Sequence, residues 1–403
     1  MGKTVVITGS LDTKGKEFAF VKELIENEGL ETLVIDFGVM GEPAFPPDIT
    51  RQEVARAGGG DLSSLASGEH KDEAMRIMAA GLAVIVRRLF DQGQLDGIIG
   101  MGGGGGTSLS TMAMRTLPVG VPKVMVSTLG GGDVSAYVGT RDITFMPSIV
   151  DVAGFNRISR AIYTNAAGAI TGMVKMNAPN AGEDKLLIAA SMFGNTTLAV
   201  DRARSVLETR GYEVLVFHAT GTGGRTMEGL IADGHITASL DITTTELADE
   251  VCGGVLSAGP ERCLAASRAG IPAVLVPGCV DMANFWARNT VPVMYKSRNL
   301  YQWNPNITLL RTNAEENKRI GEMIAAAANA ATAQVAILIP LGGVSQLDCP
   351  GGAFWDPQAD QACFEAIKSN LRPDIPVIEM DNNVNDSEFA DRAAQTLLDM
   401  LKK

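Results

Sequence analysis

The chain has 403 residues, more than one hydrophobic core usually serves, so two domains are expected. With 46% hydrophobic and 20% charged residues it reads as a globular protein. The net charge of −12 argues against a general nucleic-acid surface or an anionic-membrane surface. Cys252, Cys263, Cys279, Cys349 and Cys363 are odd in number and lack paired metal-type spacing, which points to free thiols in a reducing cytoplasm. Three histidines are too few for a histidine-rich metal centre. No apolar run reaches the ~20 residues of a membrane span, and no targeting segment is visible before Thr4.

Thr4 to Thr8 is a short β-branched run, followed by Gly9-Ser10-Leu11-Asp12-Thr13-Lys14-Gly15 and a helical pattern through Phe18, Val21, Leu24 and Ile25. A second strand, Thr32 to Asp36, completes a βαβ unit that opens a parallel sheet. Sites in such sheets form beyond the carboxyl ends of the strands. Ser10, Thr13 and Lys14 offer hydroxyls and a cation to phosphate oxygens, and Asp12 can hold Mg²⁺ directly or through water. Alternatively, Asp12 or Thr13 caps the helix and Lys14 is solvated. Asp36 stands where an acidic residue often binds a ribose hydroxyl, or serves only loop chemistry.

Residues 40–72, rich in Gly, Pro and charge, read as a long excursion: a lid, a dimer arm or a solvated loop. Glu73 to Asp91 is an amphipathic helix whose stripe of Met75, Met78, Leu82, Ile85 and Leu89 is assigned to the core, with no function.

The strongest signal follows. The buried run Leu95 to Ile99 leads through Gly100-Met101 into Gly102, Gly103, Gly104, Gly105 and Gly106, and then Thr107, Ser108 and Ser110 open a segment that can become a helix. Unpaired N–H groups at a helix start, with the dipole behind them, cradle anions. A flexible turn is the plainer alternative. The run is not a Walker A loop, because Gly106 rather than Lys precedes Thr107. A dinucleotide fingerprint is formally present at Gly100, Gly102 and Gly105, but far from the first strand, where it belongs.

Pro122 to Thr128 is another buried strand. Gly130, Gly131, Gly132 and Asp133 after it offer base, ribose or phosphate contacts, or a tight turn. Arg141 beyond them neutralises phosphate or forms a surface ion pair. Asn156 to Lys175 reads as a helix leading out of the domain. The expected division is residues 1–178, a linker at 179–184, and residues 185–403.

The second half restarts as the first began. A strand from Lys185, a Gly-hydroxyl loop at Gly194 to Thr197, a helix and the strand Glu213 to Phe217 make an approximate internal duplication plausible. The exit loops carry His218, Glu228, Asp241 and Asp281, candidate acid/base groups that would share one crevice with Asn284. A structural histidine is the plainer reading of His218. Cys279 has no visible base partner and reads as a buried thiol.

Jointly, Gly9 to Gly15, Gly102 to Thr107, Phe217 to Gly224, Asp241 to Leu247 and Pro277 to Asp281 resemble a largely uncharacterised bacterial and plant family. That family includes the N-terminal ATP-binding region of the tomato mosaic virus resistance protein. The resemblance spans essentially the whole chain. It implies two α/β, Rossmann-like subdomains with mainly parallel sheets flanked by helices, homodimer formation, and ATP with Mg²⁺ in the first subdomain. Where some relatives carry Ser in the glycine run, this chain has only Gly. Three functions follow: an ATP–Mg²⁺-binding protein; an enzyme acting on a small polar or phosphorylated metabolite at the second crevice; or an interaction protein with an exposed apolar face.

Overall fold

The computed structural model describes residues 2–65, 71–176 and 185–402. The expected linker at 179–184 lies outside them. The chain divides into two compact units, Met1–Asn180 and Ala181–Lys403. Both are α/β, with mainly parallel sheets flanked by helices.

The first unit runs β1 (Thr4–Gly9), α1 (Leu11–Asn27), β2 (Glu31–Asp36), α2 (Arg51–Ala57), α3 (Leu62–Leu65), α4 (Lys71–Asp91), β3 (Gly97–Gly102), α5 (Gly104–Met114), β4 (Lys123–Ser127), α6 (Ser135–Val138), β5 (Thr144–Pro147) and α7 (Arg157–Lys175). Its five strands lie in the order β2-β1-β3-β4-β5, all parallel. Helices cover both faces, which is why the central strands are apolar throughout rather than alternating. Val5, Ile7, Ile99 and Val126 pack with α1 and α7. Val6, Ile98 and Met125 pack with α2, α4 and α5.

Within the expected excursion, residues 50–57 form more regular structure than their composition implies. Thr50 and Glu53 form a reciprocal capping box that starts α2, and Val54 and Ala55 are buried. The T-x-x-E signature was present in the sequence, masked by the flanking prolines and glycines.

The second unit runs β6 (Leu187–Met192), α8 (Thr197–Glu208), β7 (Glu213–His218), α9 (Thr222–Ala232), β8 (Ala238–Thr243), α10 (Thr245–Cys252), α11 (Leu264–Ala269), β9 (Ala273–Gly278), β10 (Met282–Phe285), β11 (Leu300–Asn304), β12 (Ile307–Arg311), α12 (Ala314–Asn329), β13 (Val335–Pro340), α13 (Pro357–Asn370), β14 (Val377–Met380) and α14 (Ser387–Leu401). Its parallel six-stranded sheet has the order β14-β13-β9-β8-β6-β7, and β10-β12-β11 form a separate antiparallel sheet. Counted from its own first strand, the large sheet repeats the 2-1-3-4-5 order of the first unit and adds one strand. In each unit the chain leaves its first strand toward one neighbour and later returns to the other. This creates a switch point between β1 and β3, and another between β6 and β8.

The glycine run works by clearance. Among the described residues none of Gly102 to Gly106 has a positive φ. A Cβ on Gly102 would lie 3.0 Å from the Gly106 Cα, so the first turn of α5 rests directly on the end of β3. A Cβ on Gly104 would meet nothing within 4 Å. We expect Gly102→Ala to destabilise the first unit by about 1–3 kcal/mol through overpacking, a fall in Tm of several degrees. Gly104→Ala should leave Tm unchanged or raise it. Thermal unfolding followed by circular dichroism checks this, and equal falls in both variants would refute the clearance account.

Candidate functional site

The carboxyl ends of β1, β2 and β3 bound a cavity of about 380 Å³, within the size range of small-ligand sites. One side is polar: Ser10, Asp12 and Thr13 from the start of α1, and Gly105 and Gly106 from the start of α5. Ser10 is the N-cap of α1, yet its side chain makes no capping hydrogen bond, so its hydroxyl is uncommitted there. The other side is apolar, built by Phe37, Val39 and Met40 after β2, Ala74, Met75 and Met78 from α4, and Leu109 from α5.

Two carboxylates hold the wall formed by residues 38–41. Asp12 Oδ2 accepts the Met40 N–H at 2.9 Å and the Gly41 N–H at 3.1 Å. Asp36 Oδ1 accepts the Leu11 N–H at 3.0 Å and the Gly38 N–H at 2.9 Å. Gly38 is required here, because a Cβ would stand 2.5 Å from Asp12 Oδ1. The second oxygen of each carboxylate, Asp12 Oδ1 and Asp36 Oδ2, is buried without a hydrogen-bond partner. Burial pushes the Asp36 carboxyl above the usual range, and the nearby Asp12 charge adds to this. Among the described residues no group of three or more His, Cys, Asp or Glu side chains could hold a metal ion; at this cavity the lone Asp12 Oδ1 is the hard oxygen on offer.

Several of the expected site residues do not line the cavity. Thr107 is fully buried, and its hydroxyl bonds Ser127 Oγ at 2.7 Å rather than facing the cavity. Asp36 is likewise fully buried, braces backbone N–H groups through Oδ1 and is not part of the cavity wall. Ser108 is half-buried and, like Lys14, is not part of the cavity wall. Lys14 sits at a non-helical kink in α1 (φ −133°, ψ 20°). Gly131, Gly132 and Asp133 form an exposed turn in which Asp133 accepts the Ser135 N–H at 2.9 Å, starting α6. Conversely, Met75 and Met78, assigned to the core from their helical spacing, also line the cavity.

In the second unit the four acid/base candidates do not share a crevice. Glu228 and Asp241 meet around Arg262, which is buried with no exposed side-chain surface. Its guanidinium reaches Asp241 at 2.5 and 2.8 Å, Glu246 at 2.6 Å and Glu228 at 3.6 Å. Glu246 in turn accepts the Gly221 and Gly224 N–H groups at 2.6 and 3.1 Å, fixing the start of α9. Asp281 belongs to another buried group, with Arg311, Asp348 and Asp360. Its Oδ2 accepts the Ser345 hydroxyl at 2.8 Å, and burial, then the Asp348 charge, push its carboxyl upward. Asn284 is committed to Asp249, at 2.7 Å. His218 is exposed and stacks on Phe193. Cys279 is a fully buried thiol, in agreement with its reading from sequence. Arg262 and Arg311, the centres of both clusters, were missed because a lone arginine in a turn or at a strand end carries no sign that it will be buried.

These features define a protein of two doubly wound α/β units, the first with a ligand-sized cavity at its switch point. The chain belongs to the uncharacterised protein family UPF0261: the family's N-terminal domain matches residues 3–179 and its C-terminal domain residues 185–401. A UPF0261 protein of Clostridium tetani is 50% identical over 404 residues, covering 100% of both chains. The UPF0261 protein RA0729 of Rhizobium meliloti is 44% identical over 400 residues, 99% of each. The ToMV resistance protein Tm-1(GCR237) of Solanum lycopersicum is 39% identical over 339 residues, 82% of this chain and 45% of the tomato protein. Among the described residues no helix is long and apolar enough to cross a membrane.

Burial pushes the Glu228 carboxyl up to about 7, opposed by Arg262 and reinforced by Asp241. A carboxyl whose folded pKa is raised contributes stability that is present below its unfolded pKa of about 4.3 and lost as pH rises through the folded value. We therefore expect Glu228→Gln to gain on the parent chain as pH rises from 5 to 8, with a difference on the order of 2–3 kcal/mol. Tm measured across that range checks this, and a pH-independent difference would contradict it.

Proposed function

We propose that this chain binds ATP with Mg²⁺ in the cavity of the first unit. The observation that carries the reading is the pairing of the open α5 N-terminus with an apolar slot across the β1/β3 switch point. Phosphate oxygens take the free N–H groups at Gly104 to Gly106 and the hydroxyls of Ser10 and Thr13. The base lies among Phe37, Val39, Met40, Met75, Met78 and Leu109. Mg²⁺, which neutralises phosphate charge, is held at Asp12 Oδ1. Lys14, with no side-chain hydrogen bond among the described residues, supplies a nearby cation. The family resemblance supports ATP as the ligand.

The second switch point is built differently. There Thr196 and Thr243 hydroxyls bond each other at 2.8 Å, and Arg262 donates to the Thr243 carbonyl at 3.3 Å, so these groups are committed to one another.

The homodimer and a cytoplasmic location are part of the same proposal. Trp286, Val293 and Met294 expose 51%, 80% and 72% of their surface within one short segment, as an interface between copies requires. All five cysteines are unpaired, as suits a reducing compartment.

Calorimetric titration with ATP, with and without Mg²⁺, tests the reading. We expect Mg²⁺-dependent ATP binding, weakened about 10- to 100-fold by Asp12→Asn, the scale of one charge-assisted contact. Gly105→Val, which fills the cavity wall beside Met75, should weaken ATP with or without Mg²⁺. Absence of ATP binding, or unchanged affinity in both variants, would overturn the proposal.

A further inference from the structure

Phe, Tyr and Trp make up only 5% of the sequence, yet several gather beyond the carboxyl edge of the second sheet. Phe193 follows β6, His218 ends β7, Tyr301 and Trp303 lie on β11, and Phe354 follows β13. The Phe193 and His218 rings are stacked, with centroids 5.3 Å apart and planes 30° from parallel. Trp303 is 44% exposed, and its indole edge is 3.7 Å from the position a Cβ on Gly194 would take. Tyr301 stands 6.5 Å from Trp303 and 6.2 Å from the buried Phe354, which braces the group from beneath. Gly194 itself is exposed, so the backbone between the Phe193–His218 stack and the indole is bare.

A second observation points to a ligand independently. Asn195, the next residue, is 1% exposed, and its side-chain Oδ1 has no hydrogen-bond partner. Its Nδ2 makes only a 3.5 Å contact with Met282 Sδ. A buried amide oxygen without a donor is uncommon and calls for an explanation. The loop that carries Phe193 and Asn195 leaves β6, the strand beside the second switch point, where ligands of open α/β sheets bind. Thr196, next in the same loop, bonds the Thr243 hydroxyl at the end of β8, which ties the loop to the switch point.

We infer that this rim is a stacking site for a planar nitrogen heterocycle, with Trp303 and the Phe193–His218 pair supplying ring faces and Asn195 Oδ1 accepting a ring or exocyclic N–H. Aromatic faces hold any flat ring, and the unpaired acceptor selects one that carries a donor. The site lies wholly within the second unit and stands apart from the nucleotide cavity of the first.

The test is titration of the full chain with free adenine, cytosine and nicotinamide, which are planar, carry an amino donor and lack phosphate. Saturable binding of at least one probe is expected. Trp303→Ala, at a half-exposed position, should weaken it about tenfold or more, whereas Trp303→Phe should preserve it within about threefold. Gly105→Val, which fills the cavity wall of the first unit, should change nothing. The inference is overturned if none of the three probes binds saturably, or if Trp303→Ala leaves binding unchanged. It is also overturned if Gly105→Val, which narrows the apolar slot beside Met75, abolishes binding, since that would put the ring in the first cavity.

Discussion

The first unit depends on how closely α5 approaches β3. The first turn of the helix rests on the strand end because Gly102 and Gly106 have no Cβ to keep them apart. Further along, Gly100 allows the same closeness, since a Cβ there would lie 2.7 Å from the Ser110 side chain. That packing brings Ser110 within 3.0 Å of Thr8 and Thr107 within 2.7 Å of Ser127. The helix is thus pinned to three strands at once, and its unpaired N–H groups meet the cavity at a fixed height. Clearance sets the packing, the packing orients the hydroxyls inward, and the glycines left over form the cavity wall.

The second unit has the same strand order and the opposite solution at its switch point. There buried threonines and a buried arginine bond one another, where the first unit carries a glycine run. A lone arginine amid Asp241, Glu246 and Glu228 makes a high-stakes arrangement. Pairing charges inside a protein brings little net stability, whereas removing one partner strands the rest at about 3–5 kcal/mol. Through Glu246 and Asp241 the cluster ties the start of α9 to the ends of β6 and β8. Its role, and that of the Arg311 group, is to fix loops that a hydrophobic core alone would leave loose.

Residues that were legible in the sequence share one trait: their meaning is local. A β-branched run reads as a strand, a helical stripe as a helix, and a glycine run between them as a place where backbone comes close to something. Ser10, Asp12, Thr13, Gly105 and Gly106 could be read this way and do line the cavity. Thr107 bonds Ser127 and Asp36 braces backbone N–H groups, placements the sequence left open because a hydroxyl or carboxylate at a strand end has the same signature whether it faces a ligand or an adjacent strand. Met75 and Met78 were read as core alone because helical spacing identifies an inward face without saying whether that face ends in packed side chains or in space.

The sequence by itself determined the two α/β units, the parallel sheets and the family, since these follow from periodicity, turn chemistry and runs of residues close together in the chain. The tertiary structure alone decided which polar groups meet. The Arg262 cluster joins residues up to 34 positions apart, from Glu228 to Arg262, and the aromatic rim joins Phe193 to Trp303. Such meetings depend on which loops the sheet order brings side by side, and no local pattern encodes that. The same holds for the unpaired oxygens of Asp12 and Asn195: a side chain's partner is a property of its surroundings, and only the assembled fold supplies them.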